Sequence, residues 1–114
     1  MNLNDIVKEI DAQPLCCGEK MESIEIASAY SCDLMSDVLT LKETPILITG
    51  LCNVQTIRTC DMAGIEFLII VRNKKPSDDM LELAKDNDMV VIACRYSLFR
   101  TCGLLYTEGL KPIF

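Results

Sequence analysis

From Pro45 to Gly109 one local pattern recurs three times: a continuous apolar run, a capping residue, and an amphipathic stretch closed by Gly or Asn. In the first unit Gly50 breaks the run Pro45-Ile46-Leu47-Ile48-Thr49, Asn53 caps a helix and Gly64 ends it. The second run is Glu66-Phe67-Leu68-Ile69-Ile70-Val71; Pro76-Ser77 then opens a helix carrying Met80, Leu81, Leu83 and Ala84 that fades at Asn87-Asp88. The third is Met89-Val90-Val91-Ile92-Ala93-Cys94; Ser97 caps a helix with Phe99, Cys102, Leu105 and Tyr106 on one stripe, closed by Gly109. Strands apolar on every residue are covered on both faces. Their alternation with helices predicts an α/β fold, a three-layer α/β/α sandwich with a mostly parallel sheet and three tandem βα units. Right-handed crossovers then bring all three strand C-termini to one edge.

The first 44 residues are less regular. Residues 3–11 read as an amphipathic helix with Leu3, Ile6, Val7 and Ile10 on one side. Residues 14–17 and 23–28 read as strands joined by a turn at Gly18-Glu19, an antiparallel pair contributing one antiparallel strand. Ser31 is placed to cap a short helix over residues 32–39. Residues 1–114 show no linker or low-complexity segment, so a single domain is expected.

Composition removes several function classes. Net charge is −6, with no histidine, so Ser-His and Cys-His nucleophile pairs and the commonest metal ligand are absent. The negative sign opposes nucleic-acid binding. No apolar run approaches the ~20 residues a membrane helix needs. The N-terminal residues Asn2, Asn4, Asp5, Lys8 and Glu9 lack the apolar core of a signal peptide, so a cytoplasmic protein is expected. All of the excess acid lies in residues 1–40; residues 41–114 carry equal numbers of acids and bases.

Seven cysteines stand out: Cys16, Cys17, Cys32, Cys52, Cys60, Cys94 and Cys102. An odd number without a signal peptide points to reduced thiols. No Cys-x-x-Cys pair supports a metal site, and adjacent Cys16 and Cys17 would point to opposite faces of a strand. Most are expected to be buried and structural, with Cys60 and Cys102 on core-facing helix stripes and Cys94 ending a buried strand. An iron–sulfur or redox role is the rival.

Open α/β sheets bind ligands beyond their strand C-termini. The residues expected there are Thr49, Gly50, Cys52 and Asn53; Arg72, Asn73, Lys74, Lys75 and Ser77; and Arg95, Tyr96 and Ser97. This is a basic edge on an acidic chain, with helix N-termini offering free N–H groups, and it suits a small anion or nucleotide. Solvated loop charge is the competing account. No phosphate-loop or dinucleotide motif is present. Arg72 and Arg95 follow neighbouring strands, so two guanidinium groups would meet there unless an anion, or a carboxylate such as Asp33 or Asp37, sat between them.

A second group is Ser31, Asp33, Ser36 and Asp37. On one helix face Asp33 and Asp37 would suit Mg²⁺ or acid–base work, the basis of a second alternative, a weak Mg-dependent enzyme. Capping and dipole compensation is the simpler account. The segment Tyr30-Ser31-Cys32-Asp33-Leu34-Met35-Ser36-Asp37-Val38-Leu39 resembles the signature of small stand-alone DRTGG-domain proteins. The order that follows also resembles that family: Ile46-Leu47-Ile48-Thr49, Ala63-Gly64-Ile65, Lys75-Pro76, Leu83-Ala84, Ser97-Leu98-Phe99 and Leu105-Tyr106-Thr107-Glu108-Gly109-Leu110. The Asp-Arg-Thr-Gly-Gly string is absent, and Cys32 separates Ser31 from Asp33.

The resemblance implies a three-layer α/β domain. Related domains act as regulatory or dimerising modules in CBS-type pyrophosphatases and phosphotransacetylases, and resemble the N-terminal domain of HPr kinase. It also implies a bacterial protein without catalytic activity of its own, in a family associated with hydrogenase-type redox systems. The expectation is therefore a homodimeric regulatory or ligand-binding module with no catalytic residues, metal or cofactor. A small anion or nucleotide is its expected ligand and a protein its further partner. A redox or iron–sulfur accessory protein is the alternative. A mean hydropathy of +0.26, high for a small chain, adds to the case for a dimer.

Overall fold

The computed structural model of the chain describes residues 1–19 and 24–114. Its elements in order are α1 (Leu3–Glu9), β1 (Gln13–Cys16), β2 (Ser28–Ser31), α2 (Met35–Val38), β3 (Ile46–Thr49), α3 (Val54–Ala63), β4 (Phe67–Ile70), α4 (Asp78–Asp86), β5 (Val90–Ala93), α5 (Leu98–Thr107) and β6 (Lys111–Pro112). One six-stranded sheet runs in the order β1-β5-β4-β3-β2-β6. β1 is antiparallel to β5, and the other pairs are parallel.

Each central strand feeds two cores by simple alternation. Ile46, Ile48, Ile69, Val71, Val90 and Ile92 point to one side, where they meet Leu3, Ile6 and Ile10 of the α1 region and Leu105 of α5. Leu47, Leu68, Ile70 and Val91 point to the other, against Val38 of α2, Ile57 and Cys60 of α3, and Met80 and Ala84 of α4. Each fully buried Leu or Ile contributes about 1.5–3 kcal/mol of transfer free energy, so both faces of the strands are used. This is the expected three-layer sandwich.

Crossover handedness decides which layer each helix joins. β2, β3, β4 and β5 advance in one direction across the sheet, so α2, α3 and α4 share a face. The chain then reverses from β5 to β6, and the same handedness throws α5 onto the opposite face. Asn53, Ser77 and Ser97 cap α3, α4 and α5 with their side chains, as predicted. Gly64 ends α3 in the left-handed region at φ 75°, where a Cβ would be strained. The sheet edges resist further pairing: β1 carries Pro14 and a register irregularity, and β6 carries Lys111 and Pro112.

Several expectations fail for identifiable reasons. β1 and β2 do not pair with each other. β1 completes the apolar edge of β5, while β2 lies across the sheet between β3 and β6. Ser23, which the second predicted strand included, lies outside the described residues. From Ile24 to Ala27 the chain makes only an isolated antiparallel bridge, Glu25 to Asn2.

Ser31 is no cap, because its backbone is still paired with Ile48 in β2. Helix α2 begins later, after Leu34, without a side-chain cap bond. Cys16 and Cys17 do not diverge: Cys17 adopts φ 57°, and the two Sγ atoms lie 3.3 Å apart. The inward stripe of α5 is Leu98, Thr101, Cys102 and Leu105, which leaves Phe99 and Tyr106 outside it, 90% and 69% exposed. Only Cys60 and Cys94 of the seven cysteines are fully buried, so the expectation that most would be is corrected; Cys102 is partly exposed.

Candidate functional site

α4 and α5 lie on opposite faces, so the chain leaves β4 and β5 in opposite directions at their C-terminal ends. That divergence is the topological switch at which open α/β sheets form a crevice. Here it is a groove of about 720 Å³ whose lining includes Asp11, Gln13, Lys74, Lys75, Leu81 and Arg95. The antiparallel β1 brings the α1–β1 turn to this edge, which is how Asp11 and Gln13 arrive.

The backbone leaving β4 is unusual. Arg72 and Asn73 both adopt positive φ, 68° and 57°. Their amides donate to the carbonyls of Tyr96, at 2.8 Å, and Cys94, at 3.0 Å. These bonds clamp the β4–α4 loop onto the β5–α5 loop. A left-handed arginine costs about 1–2 kcal/mol in isolation, and such strain concentrates at functional sites.

Lys74 reaches back from this loop to donate its ammonium to the Gly50 carbonyl. Gly50 in turn donates its amide to Asp33 Oδ1 at 2.8 Å, and Thr49 Oγ1 donates to the same oxygen at 2.9 Å. The Gly50 amide, helped by the Thr49 hydroxyl and the charges of Lys74 and Arg72, holds the Asp33 carboxyl below its ordinary range; partial burial opposes this. Asp33 is thus a fixed anion at the end of β3.

Arg95 is engaged differently. Its guanidinium pairs with Asp11 at 2.8 Å, both side chains being more than 60% exposed, and lies 5.5 Å from the Tyr96 ring centre. Arg100 covers the same ring at 3.8 Å. The carboxylate beside Arg95 is therefore Asp11, not Asp33 or Asp37. Arg72 is left near Asp33.

The predicted residues fall into separate groups. Lys74, Lys75 and Arg95 line the groove. Asp33 joins it indirectly, through Gly50 and Lys74. The side chains of Asn53, Ser77 and Ser97 are occupied by capping bonds to Thr56, Met80 and Arg100. Ser31 lines a separate hollow of about 130 Å³ beside Cys102 and Tyr106. Asp37 accepts a long contact from Cys32 Sγ, 3.9 Å, and Ser36 is exposed on α2. Asp33 precedes that helix, so the two carboxylates do not share one helix face.

Sequence reasoning missed Asp11 and Gln13, because nothing local shows that β1 docks on β5. Among the described residues, no cluster of three or more Cys, Asp or Glu side chains is arranged to hold a metal ion. Among them, too, no helix is long and apolar enough to cross a membrane.

No family model matches the chain, and no curated protein matches it in sequence. Among solved structures it is similar to the CBS and DRTGG domains of the regulatory region of Clostridium perfringens pyrophosphatase, complexed with its activator diadenosine tetraphosphate. The TM-score is 0.72 at 20% identity, over 91% of this chain and 45% of that one. The chain therefore spans under half the length of that regulatory region. The likeness is one of fold, and it agrees with the DRTGG-like resemblance read from Tyr30–Leu39 and the segments after it.

Proposed function

We propose that this chain is a single-domain, non-catalytic regulatory module that binds a small phosphate-bearing anion, such as a nucleotide, in the groove between β4 and β5. The observation that carries the reading is that Lys74 and Lys75 from one loop and Arg95 from the next line one groove, the two loops being clamped together at the left-handed Arg72 and Asn73. Two lysines and an arginine against one lining carboxylate, Asp11, favour an anion, and the groove's volume is in the range of small-molecule sites. Asp11 competes with a ligand for Arg95, so binding exchanges one exposed ion pair for another. Asp33 fixes Gly50 and Gly50 receives Lys74, and that chain of contacts holds the Lys74 loop from the β3 side. The pyrophosphatase region of like fold was solved with a dinucleoside polyphosphate activator, which names a first ligand class to try.

The module is further proposed to work as a homodimer. Phe99, Gly103 and Tyr106 lie at helical spacing on the outer flank of α5, and among the described residues no neighbouring group lies within 4 Å of where a Gly103 Cβ would be. A second copy of α5 suits this face, since a bare glycine between two exposed aromatic side chains allows close backbone approach.

The test of ligand binding is a thermal-unfolding series with phosphate, pyrophosphate, ATP and diadenosine tetraphosphate. A ligand at 100 times its Kd stabilises the fold by about 2.7 kcal/mol, a shift of several degrees for a domain this size. A saturable rise with at least one phosphate compound is expected, and it should shrink in Lys75→Ala and Arg95→Ala. No shift with any of the four at millimolar concentration contradicts the reading.

A further inference from the structure

The Cys16 and Cys17 thiols are in contact at the end of the edge strand β1, 3.3 Å between Sγ atoms. We propose that this pair is a redox modification site, oxidised reversibly to a vicinal disulfide by a small-molecule disulfide. The proposal is independent of any ligand in the β4–β5 groove.

Three features of the backbone support it. Adjacent cysteines in a regular strand point apart, yet the left-handed Cys17, at φ 57°, turns both thiols to the same side. Cys16 is the last residue of β1, opposite Val91 after the register irregularity, and Cys17 lies beyond the strand, so no strand pairing holds Cys17 against the turn. Both thiols are partly exposed and line a groove of about 800 Å³ with Glu19, Leu81 and Lys85, which gives a soluble oxidant access. Among the other cysteines no such thiol pair is formed: Cys52 Sγ faces Met80 Sδ, Cys94 Sγ faces the Ile10 carbonyl, and Cys60 is sealed in the core.

Closing the ring has a defined chemical course. One protein thiolate attacks a sulfur of the oxidant disulfide and expels one thiolate, leaving a mixed disulfide. The second protein thiol, losing its proton, attacks the protein sulfur of that mixed disulfide and expels the second thiolate. The net change is one disulfide and two protein thiols giving one vicinal disulfide and two small thiols; the protein loses two electrons and two protons. Burial, with the Cys17 contact adding to it, raises the Cys16 thiol, and whichever thiol opens the exchange, the other lies 3.3 Å away to resolve it. Adjacent Cα atoms are held ~3.8 Å apart by a trans peptide, below the ~4.4 Å at which ordinary disulfides begin. The ring is consequently strained and easily reduced, the character of a labile rather than a structural bond.

The experiment treats the folded, fully reduced chain with glutathione disulfide, blocks remaining thiols with an alkylating reagent, and maps the peptides by mass. The expected product is one peptide carrying both Cys16 and Cys17, unalkylated and lighter by two hydrogens, restored by dithiothreitol. Cys16→Ser and Cys17→Ser, each lacking the resolving thiol, should stop at a mixed disulfide on the remaining cysteine. An arm needing no variant uses phenylarsine oxide, whose arsenic exchanges its oxygen for two thiols with loss of water. One arsenical should bridge the wild-type pair, resisting excess monothiol and yielding to a dithiol. In the wild-type chain, separate alkylation of both residues after oxidation, or stable mixed disulfides on either with no internal bond, overturns the proposal.

Discussion

The Gly50 amide donates to the Asp33 carboxylate at 2.8 Å, tying the segment after β2 to the end of β3. Thr49 adds a hydroxyl to the same oxygen, and Lys74 binds the Gly50 carbonyl from the next loop. One carboxylate thus organises the ends of two strands and the loop that forms one wall of the groove.

Asp33→Asn keeps the size of the side chain and removes its charge. The expected loss at pH 7 is about 1 kcal/mol, the scale of a charge-assisted hydrogen bond on a partly exposed group. The folded carboxyl titrates below its ordinary value of 3.8, so its contribution is fully present above the unfolded-state pKa and is lost as pH falls through the folded one. Urea unfolding of both proteins should show a gap at pH 7 that closes below pH ~4. A gap that widens on acidification contradicts the assignment.

Arg72 carries strain that Gly would not. Arg72→Gly should raise unfolding stability by up to about 1 kcal/mol by relieving the left-handed backbone, offset in part by the lost attraction to Asp33. A loss above ~2 kcal/mol would mean that the side chain, not the backbone, anchors this loop.

Two glycines separate conformational need from space. Gly64→Ala, at φ 75°, should cost about 1 kcal/mol in thermal or urea unfolding. At Gly50 a Cβ would meet Asp33 Oδ1 at 3.6 Å and Lys74 Nζ at 3.8 Å, ordinary contacts. Gly50→Ala should therefore be nearly neutral, and equal losses at the two positions would refute the distinction.

Thiol labelling should split the cysteines by burial. Cys60, sealed in the α3–α4 core with its thiol pushed up to about 12 by burial, should be alkylated only when the fold opens. Cys94, whose Sγ faces the Ile10 carbonyl, should behave likewise. Pulse alkylation read by mass should modify the partly exposed Cys17, Cys32 and Cys102 sooner; early modification of Cys60 contradicts the packing described.

What could be read in advance followed the range of the interactions. The runs at Ile46, Phe67 and Val90 and the caps Asn53, Ser77 and Ser97 are local signals, and each element stands where they place it. Handedness then brought Lys74, Lys75 and Arg95 to one edge. Asp11 was invisible because its role depends on β1 docking against a strand more than 70 residues away in sequence, Gln13 opposite Ala93. Phe99 was misassigned because an α5 inward stripe set one residue earlier, through Leu98 and Leu105, fits the same apolar composition. The Cys16–Cys17 contact rests on a single left-handed residue that strand periodicity does not foresee.

The central claim is that an anion occupies the groove between β4 and β5. Its most direct test is an amide NMR titration of the isotopically labelled chain with ATP and with pyrophosphate, using assigned backbone signals. The account predicts saturable shifts of the Lys74, Lys75, Ser77 and Arg95 amides, with Asp11 moving as Arg95 exchanges partners. Unchanged spectra at millimolar ligand, or shifts confined to the outer flank of α5 around Phe99 and Tyr106, would contradict it.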